Sequence, residues 1–189
     1  MTTLRLATPA DAASLLEIYA PYIRNTSITF ETEVPDEKAF AERIRHYLSF
    51  GPWLVAEVDG AVAGYAYASR YRERVAYQWS VECSVYIHDG YHRRGLASAL
   101  YKALFAILQR QGFRNVYAVI NLPNDRSVAL HEQLGFRYFA TYEQVGYKLG
   151  RWKNVGWWRL ILNEFGEEPE AAVPFGDVDK EFLEEVLSR

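Results

Sequence analysis

The spacing of apolar residues along the chain changes several times, from that of a helix to that of a strand and back. Apolar side chains that recur every three or four residues predict helices, and short alternating or continuous apolar runs predict strands. Turn-forming residues separate these segments, as Asp59-Gly60 does between two strands. The predicted elements are, in order, a strand at 4–7, helices at 8–23 and 35–48, and strands at 53–58, 61–68 and 81–87. A helix at 97–111, a strand at 116–120 and a helix at 124–134 follow, and residues 135–162 are a strand leading into an aromatic-rich segment.

These elements together indicate one α/β domain with a mixed sheet. The chain has 189 residues, half of them apolar, which is enough to build one good core. We assign this domain to residues 1–163, because after Asn163 the sequence turns acidic and contains prolines. Residues 164–189 are then an acidic C-terminal extension, in which positions 177–187 predict a last helix.

Composition narrows the classes of partner. Lysine and arginine total 21 against 24 acidic residues, so the net charge of −3 gives no electrostatic case for nucleic acid. No apolar run is long enough for a bilayer and no signal-peptide core is visible, so we expect no membrane association. The single cysteine, Cys83, suits a reducing compartment, and neither CxxC nor HExxH spacing occurs. We therefore expect a cytoplasmic protein without a metal site.

The segment His92-Arg93-Arg94-Gly95-Leu96-Ala97 lies between a predicted strand and a predicted helix. Unpaired N–H groups and the helix dipole make such a helix start attractive to anions. Gly95 allows close backbone approach, and Arg93 and Arg94 could add charge-assisted contacts to phosphate. An ordinary turn with solvated arginines would explain the same residues.

The order of elements resembles the GNAT (acyl-CoA N-acyltransferase) fold, in which helices flank a mixed central sheet. His92-x-x-Gly95-x-Ala97 lies where that superfamily has its Q/R-x-x-G-x-G/A acetyl-CoA motif. Here His92 replaces the usual Gln or Arg, and Ala97 replaces the common Gly. Residues 124–136 resemble the superfamily helix N…A…LYEKLGF.

Several segments resemble, more narrowly, the phosphinothricin and methionine sulfoximine N-acetyltransferase family. They are Asn25-Thr26-Ser27, Thr29-Phe30-Glu31-Thr32-Glu33, Trp79-Ser80-Val81-Glu82, Val85-Tyr86, Leu122-Pro123-Asn124-Asp125, His131-Glu132 and the stretch 150–158. The resemblance covers about residues 1–163. It implies direct transfer of acetyl from acetyl-CoA, in a ternary complex, to the α-amine of phosphinothricin, methionine sulfoximine or methionine sulfone. It also implies a homodimer, for which the aromatic stretch 150–158 is a candidate interface.

The resemblance further implies a set of acetyl-CoA-binding positions. They are Val85, Tyr86, Ile87, His92, Arg93, Arg94, Gly95, Leu96, Ala97, Ser98, Asn124 and Ser127. A backbone N–H near Val85 would polarise the thioester carbonyl. Asn124 would cap its helix and also reach the pantetheine arm.

Acetyl transfer to an amine requires a base, because alkyl amines are mostly protonated at neutral pH. Glu82 is the candidate, since a carboxylate among apolar strand residues is costly unless it serves a purpose, and its pKa would be raised. An ion pair with Arg72 or Arg74 would equally explain it. His131 occupies the position of the superfamily's proposed acid, although a packed helix-face histidine is the plainer interpretation. Cys83 is interpreted as a core residue.

The acceptor site is less clearly marked in the sequence. Arg72 and Arg74 precede Glu82 and could bind a carboxylate, while Phe30, Tyr86 and Trp157 could form pocket walls. A solvated basic loop is the alternative for the arginines. Two other functions stay open: acetylation of another amine, such as a peptide N-terminus, a polyamine or an antibiotic, and a non-catalytic acyl-CoA sensor.

Overall fold

A computed structural model describes residues 1–188, which form a seven-stranded sheet with helices on both faces. The helices are α1 Ala12–Asn25, α2 Glu37–Leu48, α3 Leu96–Arg110, α4 Asp125–Gln133 and α5 Lys180–Leu187. The strands are β1 Thr2–Leu6, β2 Trp53–Val58, β3 Ala61–Arg70, β4 Ser80–Ile87, β5 Asn115–Leu122, β6 Arg137–Lys148 and β7 Arg151–Ile161. The sheet order is β1-β2-β3-β4-β5-β7-β6, and the predicted α/β class is confirmed.

Local sequence chemistry accounts for several of these boundaries. The Asp36 side chain accepts the Ala39 N–H (2.7 Å) and begins α2, as an N-cap does. Asp59 and Gly60 have φ angles of 52° and 82°. These left-handed conformations suit the tight turn of the β2–β3 hairpin, as predicted. The aromatic-rich segment forms a second hairpin, β6–β7.

Strands β4 and β5 are the only neighbouring pair within residues 1–188 that run parallel. Their pairing covers Ser80–Glu82 against Asn115–Tyr117 and then stops, although both strands continue for several residues. Beyond that point, the edges by which β4 and β5 face each other have no ladder partner within residues 1–188. The result is a gap between β4 and β5 that opens immediately after Glu82.

Two apolar cores lie on opposite faces of the sheet. On one face, Val81, Cys83 and Ile87 pack with residues of α3, whereas Tyr86 packs with α1 on the other. Because side chains alternate along a strand, Glu82 shares the face of Tyr86. The two cores therefore define an α3 face and a Glu82 face, on which the site residues can be placed.

The acidic C-terminal extension is packed into the fold. Phe175, Val178 and Val186 are buried in the α3-side core. The Val173 N–H donates to the Gln111 carbonyl (2.7 Å), and the Gln111 side chain returns a bond to the Val173 carbonyl (2.9 Å). The predicted last helix exists but begins at Lys180, and Arg189 lies outside the described residues.

Candidate active site

The gap between β4 and β5 exposes strand edges that can bind an extended ligand. The His88 N–H donates to the Ala63 carbonyl on β3 (2.9 Å). Since successive N–H groups of a strand alternate between its edges, the Val85 N–H points the other way, into the gap. The amide groups of an extended ligand lying there could hydrogen-bond to backbone N–H and carbonyl groups of β4 and β5 that are not paired with another strand.

At the end of β4 the chain enters a turn with free helix N–H groups. The first bond within α3 runs from the Ala99 N–H to the Gly95 carbonyl (3.0 Å), so the N–H groups of Leu96, Ala97 and Ser98 precede it. Gly95 has a φ of 79°, which favours glycine at this position. Arg93 and Arg94 are exposed beside these groups. This donor set suits a phosphate or pyrophosphate.

The His92 side chain is turned toward the end of β4. Its Nε2 lies 3.1 Å from the Ile87 carbonyl oxygen, which also accepts the Tyr22 hydroxyl at 2.6 Å. The backbone of His92 belongs to the turn, but its ring fixes the turn to the strand.

Glu82 lies where the gap opens, and its side chain is 29% exposed. Burial raises the pKa of its carboxyl above the ordinary value, and the Arg72 guanidinium opposes that shift. Arg72 Nη1 is 3.5 Å from Glu82 Oε1, so one of the two pairings considered from the sequence is present. Arg74 is exposed and makes no ion pair within residues 1–188.

An aromatic cluster of Tyr71, Tyr117 and Trp157 lies beside the Glu82–Arg72 pair. Tyr117 is the register partner of Glu82, and its ring stacks on Tyr71 with centroids 4.6 Å apart. The Arg72 guanidinium lies 4.4 Å from the Tyr71 ring centroid and 6.0 Å from that of Trp157. The structure thus brings the predicted site residues Trp157 and Glu82 close to Arg72, and adds two tyrosines that sequence reasoning missed.

The other two predicted pocket walls lie elsewhere. Tyr86 is buried among aromatic rings, with the Tyr19 centroid at 4.7 Å and the Tyr22 centroid at 5.2 Å. Its ring therefore belongs to the α1-side core, and only its backbone borders the gap. Phe30 is 41% exposed and packs against Gly146 of β6, where an added Cβ would lie 2.5 Å from the ring.

His131 is buried on the α3 face, opposite Glu82. Its Nδ1 lies 2.7 Å from the Ser127 carbonyl and its Nε2 lies 3.3 Å from the Tyr101 hydroxyl. The first nitrogen therefore donates and the second accepts. Burial lowers the pKa of the ring, which favours the neutral form. Nearby, burial raises the pKa of Cys83 to about 12, and its prediction as a core residue is confirmed.

The helix that carries His131 begins at the far side of the gap. Asn124 Oδ1 accepts the Ser127 N–H at 3.2 Å, which confirms the predicted cap. Asn124 comes two residues after the end of β5, so its backbone lies on the β5 side of the gap.

A GNAT acetyltransferase domain model matches residues 4–157 of this chain. The chain belongs to the GNAT acetyltransferase family. It is 44% identical, over 82% of its length and 85% of the relative, to phosphinothricin N-acetyltransferase of Streptomyces viridochromogenes. It is 34% identical to the L-methionine sulfoximine/L-methionine sulfone acetyltransferase of Salmonella typhimurium, over 86% and 95% of the two chains.

Among solved structures, it resembles a GNAT superfamily phosphinothricin acetyltransferase from Sinorhizobium meliloti in complex with acetyl-CoA. The TM-score is 0.84 at 34% identity, over 92% of this chain and 98% of the other. This GNAT protein is an acetyl-CoA-dependent N-acetyltransferase, and the donors of the turn and of the gap fit the phosphates and amides of that co-substrate. Within residues 1–188, no group of three or more His, Cys, Asp or Glu side chains could hold a metal ion. No helix in the same range is long and apolar enough to cross a bilayer.

Proposed function

We propose that this acetyltransferase acetylates the α-amine of a small amino acid with a compact polar side chain, by direct attack within a ternary complex. Phosphinothricin, methionine sulfoximine and methionine sulfone are the acceptors in this class that the names of its relatives suggest. The observation that carries the proposal is the half-buried Glu82 carboxylate. It lies at the opening of the gap, beside an arginine and an aromatic cluster.

Glu82 is the proposed base in this reaction. The acceptor amine arrives protonated, and Glu82 removes its proton directly or through one water molecule. The raised pKa makes the carboxylate a better proton acceptor than an exposed glutamate at the same pH. Acetyl-CoA supplies the thioester, and the Val85 N–H, which points into the gap, is placed to polarise a carbonyl there.

Acetyl-CoA binding is assigned to the two sides of the gap. The turn of Arg93, Arg94 and Gly95, with the start of α3, would hold the phosphates. The backbone edge of residues 85–87, together with Asn124 and Ser127, would border the pantetheine arm. His92 contributes by fixing the turn to β4 rather than by touching phosphate.

Arg72 is the proposed partner of the acceptor carboxylate. Its guanidinium is fixed by Tyr71 and by Glu82, so it can present a planar pair of donors near the amine site. Arg74 lies two residues further along the same exposed loop and would add long-range attraction for an anionic acceptor. Trp157 forms an apolar wall, and Phe30 lies on the loop between α1 and α2.

We assign His131 a positioning role rather than direct proton transfer. Its two ring nitrogens are bonded to Ser127 and Tyr101, and the lowered pKa favours a neutral ring. Such a ring holds α4, which begins at the pantetheine-contacting Asn124, against α3.

A homodimer is the proposed assembly, formed mainly through the β6–β7 hairpin. Large apolar side chains that are 47–61% exposed cluster there: Tyr138, Phe139, Tyr142, Val145, Tyr147, Leu149, Trp152 and Ile161. Of the stretch 150–158 considered from the sequence, Val155, Trp157 and Trp158 are buried within the protomer, so most of this exposed surface lies on β6 instead.

The dependence of the protein on acetyl-CoA favours the cytoplasm as its location.

Release of CoA from acetyl-CoA tests the proposal directly. The panel contains phosphinothricin, methionine sulfoximine, methionine sulfone, common amino acids, a polyamine and a short peptide. Saturable turnover restricted to the amino acids with oxygen-bearing side chains is the expected result. Turnover only with the polyamine or the peptide would assign a different acceptor, and acetyl-CoA binding without any turnover would favour a sensor.

A further inference from the structure

The sheet face that carries Glu82 continues along β5 as an open surface. Tyr117 is the register partner of Glu82, and alternation puts Val119 and Asn121 on the same face. Val119 is 38% exposed although it lies in the middle of an inner strand. Its neighbour across the ladder is Trp157 of the aromatic cluster. Val119 therefore forms an apolar floor between the Glu82 end of the site and Asn121.

Two residues next to Val119, one along β5 and one across the ladder, carry buried N–H donors that have no partner within residues 1–188. Asn121 is 8% exposed, and its Oδ1 accepts the Ser27 hydroxyl at 2.9 Å, which leaves the amide Nδ2 without a partner. The indole Nε1 of Trp157, a residue only 6% exposed, also has no partner among the described residues. Buried polar groups are nearly always hydrogen-bonded, so an unpaired donor beside a substrate site is a place where a ligand can supply the missing acceptor.

We propose that Asn121 Nδ2 and Trp157 Nε1 bind an oxygen at the end of the acceptor's side chain, and so select amino acids with oxygen-bearing tails. The inference rests on the proposed function, because it requires the acceptor amine to lie at Glu82. Both groups offer only hydrogens to the ligand, since indole has no acceptor and the amide oxygen is held by Ser27. The matching ligand atom is therefore an oxygen such as those of a sulfone or a phosphinate.

The spacing of backbone positions along β5 is compatible with a ligand of this length. Four residues of strand separate Tyr117, beside Glu82, from Asn121, a rise of about 13 Å. A hydrogen bond at each end takes about 3 Å. The amine nitrogen and the tail oxygen of an acceptor of this class are separated by five bonds, about 6 Å when extended. The methylene groups between them would lie on Val119.

Trp53 provides a matched control for the tryptophan. Its indole Nε1 is also buried without a partner, but the residue is fully enclosed in the α1-side core, two strands away from β4. Trp53→Phe and Trp157→Phe therefore remove the same group from a closed core and from the site. Asn121→Asp replaces the donor by an acceptor at nearly unchanged volume.

The test compares kcat/KM for methionine sulfone with that for norleucine, whose tail has no oxygen. The wild-type protein is expected to prefer the sulfone, and Trp157→Phe and Asn121→Asp should each reduce that preference by about tenfold or more. The change should appear in the acceptor KM, with the KM for acetyl-CoA nearly unchanged. Trp53→Phe should leave the preference as it is. Calorimetric titration of methionine sulfone in the presence of CoA gives a second readout independent of turnover.

The outcomes separate this inference from the proposed function. An unchanged sulfone-to-norleucine ratio in both site variants, with amino acid turnover intact, would overturn the inference alone. An increase in the KM for acetyl-CoA instead would assign the donors to the pantetheine carbonyls and also overturn it. Wild-type protein that acetylates no amino acid would remove the proposed function itself.

Discussion

Replacing Glu82 by Gln tests the proposed chemistry most directly. The amide keeps the size and shape of the carboxylate but cannot accept a proton from the amine. Loss of a positioned general base lowers kcat by about a hundredfold to ten-thousandfold. At about 1.4 kcal/mol for each factor of ten, this corresponds to roughly 3–5 kcal/mol of activation free energy. Acetyl-CoA binding should be preserved, because the turn that we propose to bind phosphate lies at the other end of β4.

The pH dependence gives this prediction a specific signature. In the wild-type protein, burial raises the Glu82 pKa, so kcat/KM should rise as the pH increases through that raised value and the carboxylate forms. The variant should lose this acidic limb. The stability of the fold has the opposite pH dependence. Because the pKa of this carboxyl is higher in the folded than in the unfolded protein, the free energy of unfolding decreases as the pH rises from the unfolded-state pKa to the folded-state pKa. Glu82→Gln should therefore be no less stable than wild type at neutral pH.

The assay measures CoA release across pH, with thermal unfolding and acetyl-CoA titration as parallel readouts. Glu73→Gln is the matched control, since Glu73 lies on the same loop as Arg72 but is exposed. Its kinetics should equal those of wild type. Turnover by Glu82→Gln within about threefold of wild type, with the acidic limb retained, would remove Glu82 from the mechanism.

Three further predictions concern other parts of the site and fold. Arg72→Ala should raise the acceptor KM by about tenfold to a hundredfold and, because a positive neighbour is lost, move the acidic limb of kcat/KM to higher pH. An unchanged acceptor KM would contradict the carboxylate role of Arg72. His131→Phe should lower the melting temperature but leave kcat nearly unchanged, whereas a fall of about a hundredfold would restore direct proton transfer. A chain cut after residue 163 should fail to fold by circular dichroism, since it loses three buried side chains worth roughly 1.5–3 kcal/mol each; a cooperative native transition would refute this.

The order of elements could be predicted because each depends on neighbouring residues. The Asp59-Gly60 turn, the Asp36 cap and the glycine before α3 all act through local backbone geometry. The position of Glu82 was predictable for the same reason, since strand alternation and a charged residue in an apolar run are visible without any tertiary structure. What the sequence alone left undecided was whether Arg72 or Arg74 would pair with it.

Contacts between distant segments could not be predicted in this way. Tyr117 lies beside Glu82 only because β4 and β5 pair in one particular register, and the sequence pattern does not specify a register. The extension after residue 163 is acidic, which suggests a solvated tail. Its few apolar residues nevertheless reach the core, as Phe175 does. Sequence reasoning missed Asn121, because no local sequence pattern shows which side-chain amide will be buried without a hydrogen-bond partner for its N–H group.

The division of the sheet into two faces also limits how Glu82 and His131 can cooperate. A family motif predicts the position of a residue on a helix or strand. The groups that its side chain contacts depend on how that element packs in the fold. Here Tyr101 binds His131 on the α3 face, while Glu82 opens to the aromatic cluster on the other. A proton shared by the two would have to cross the gap between β4 and β5, where the co-substrate is proposed to bind. Glu82 with one water molecule needs no such crossing, and for that reason the deprotonation step is assigned to Glu82 alone.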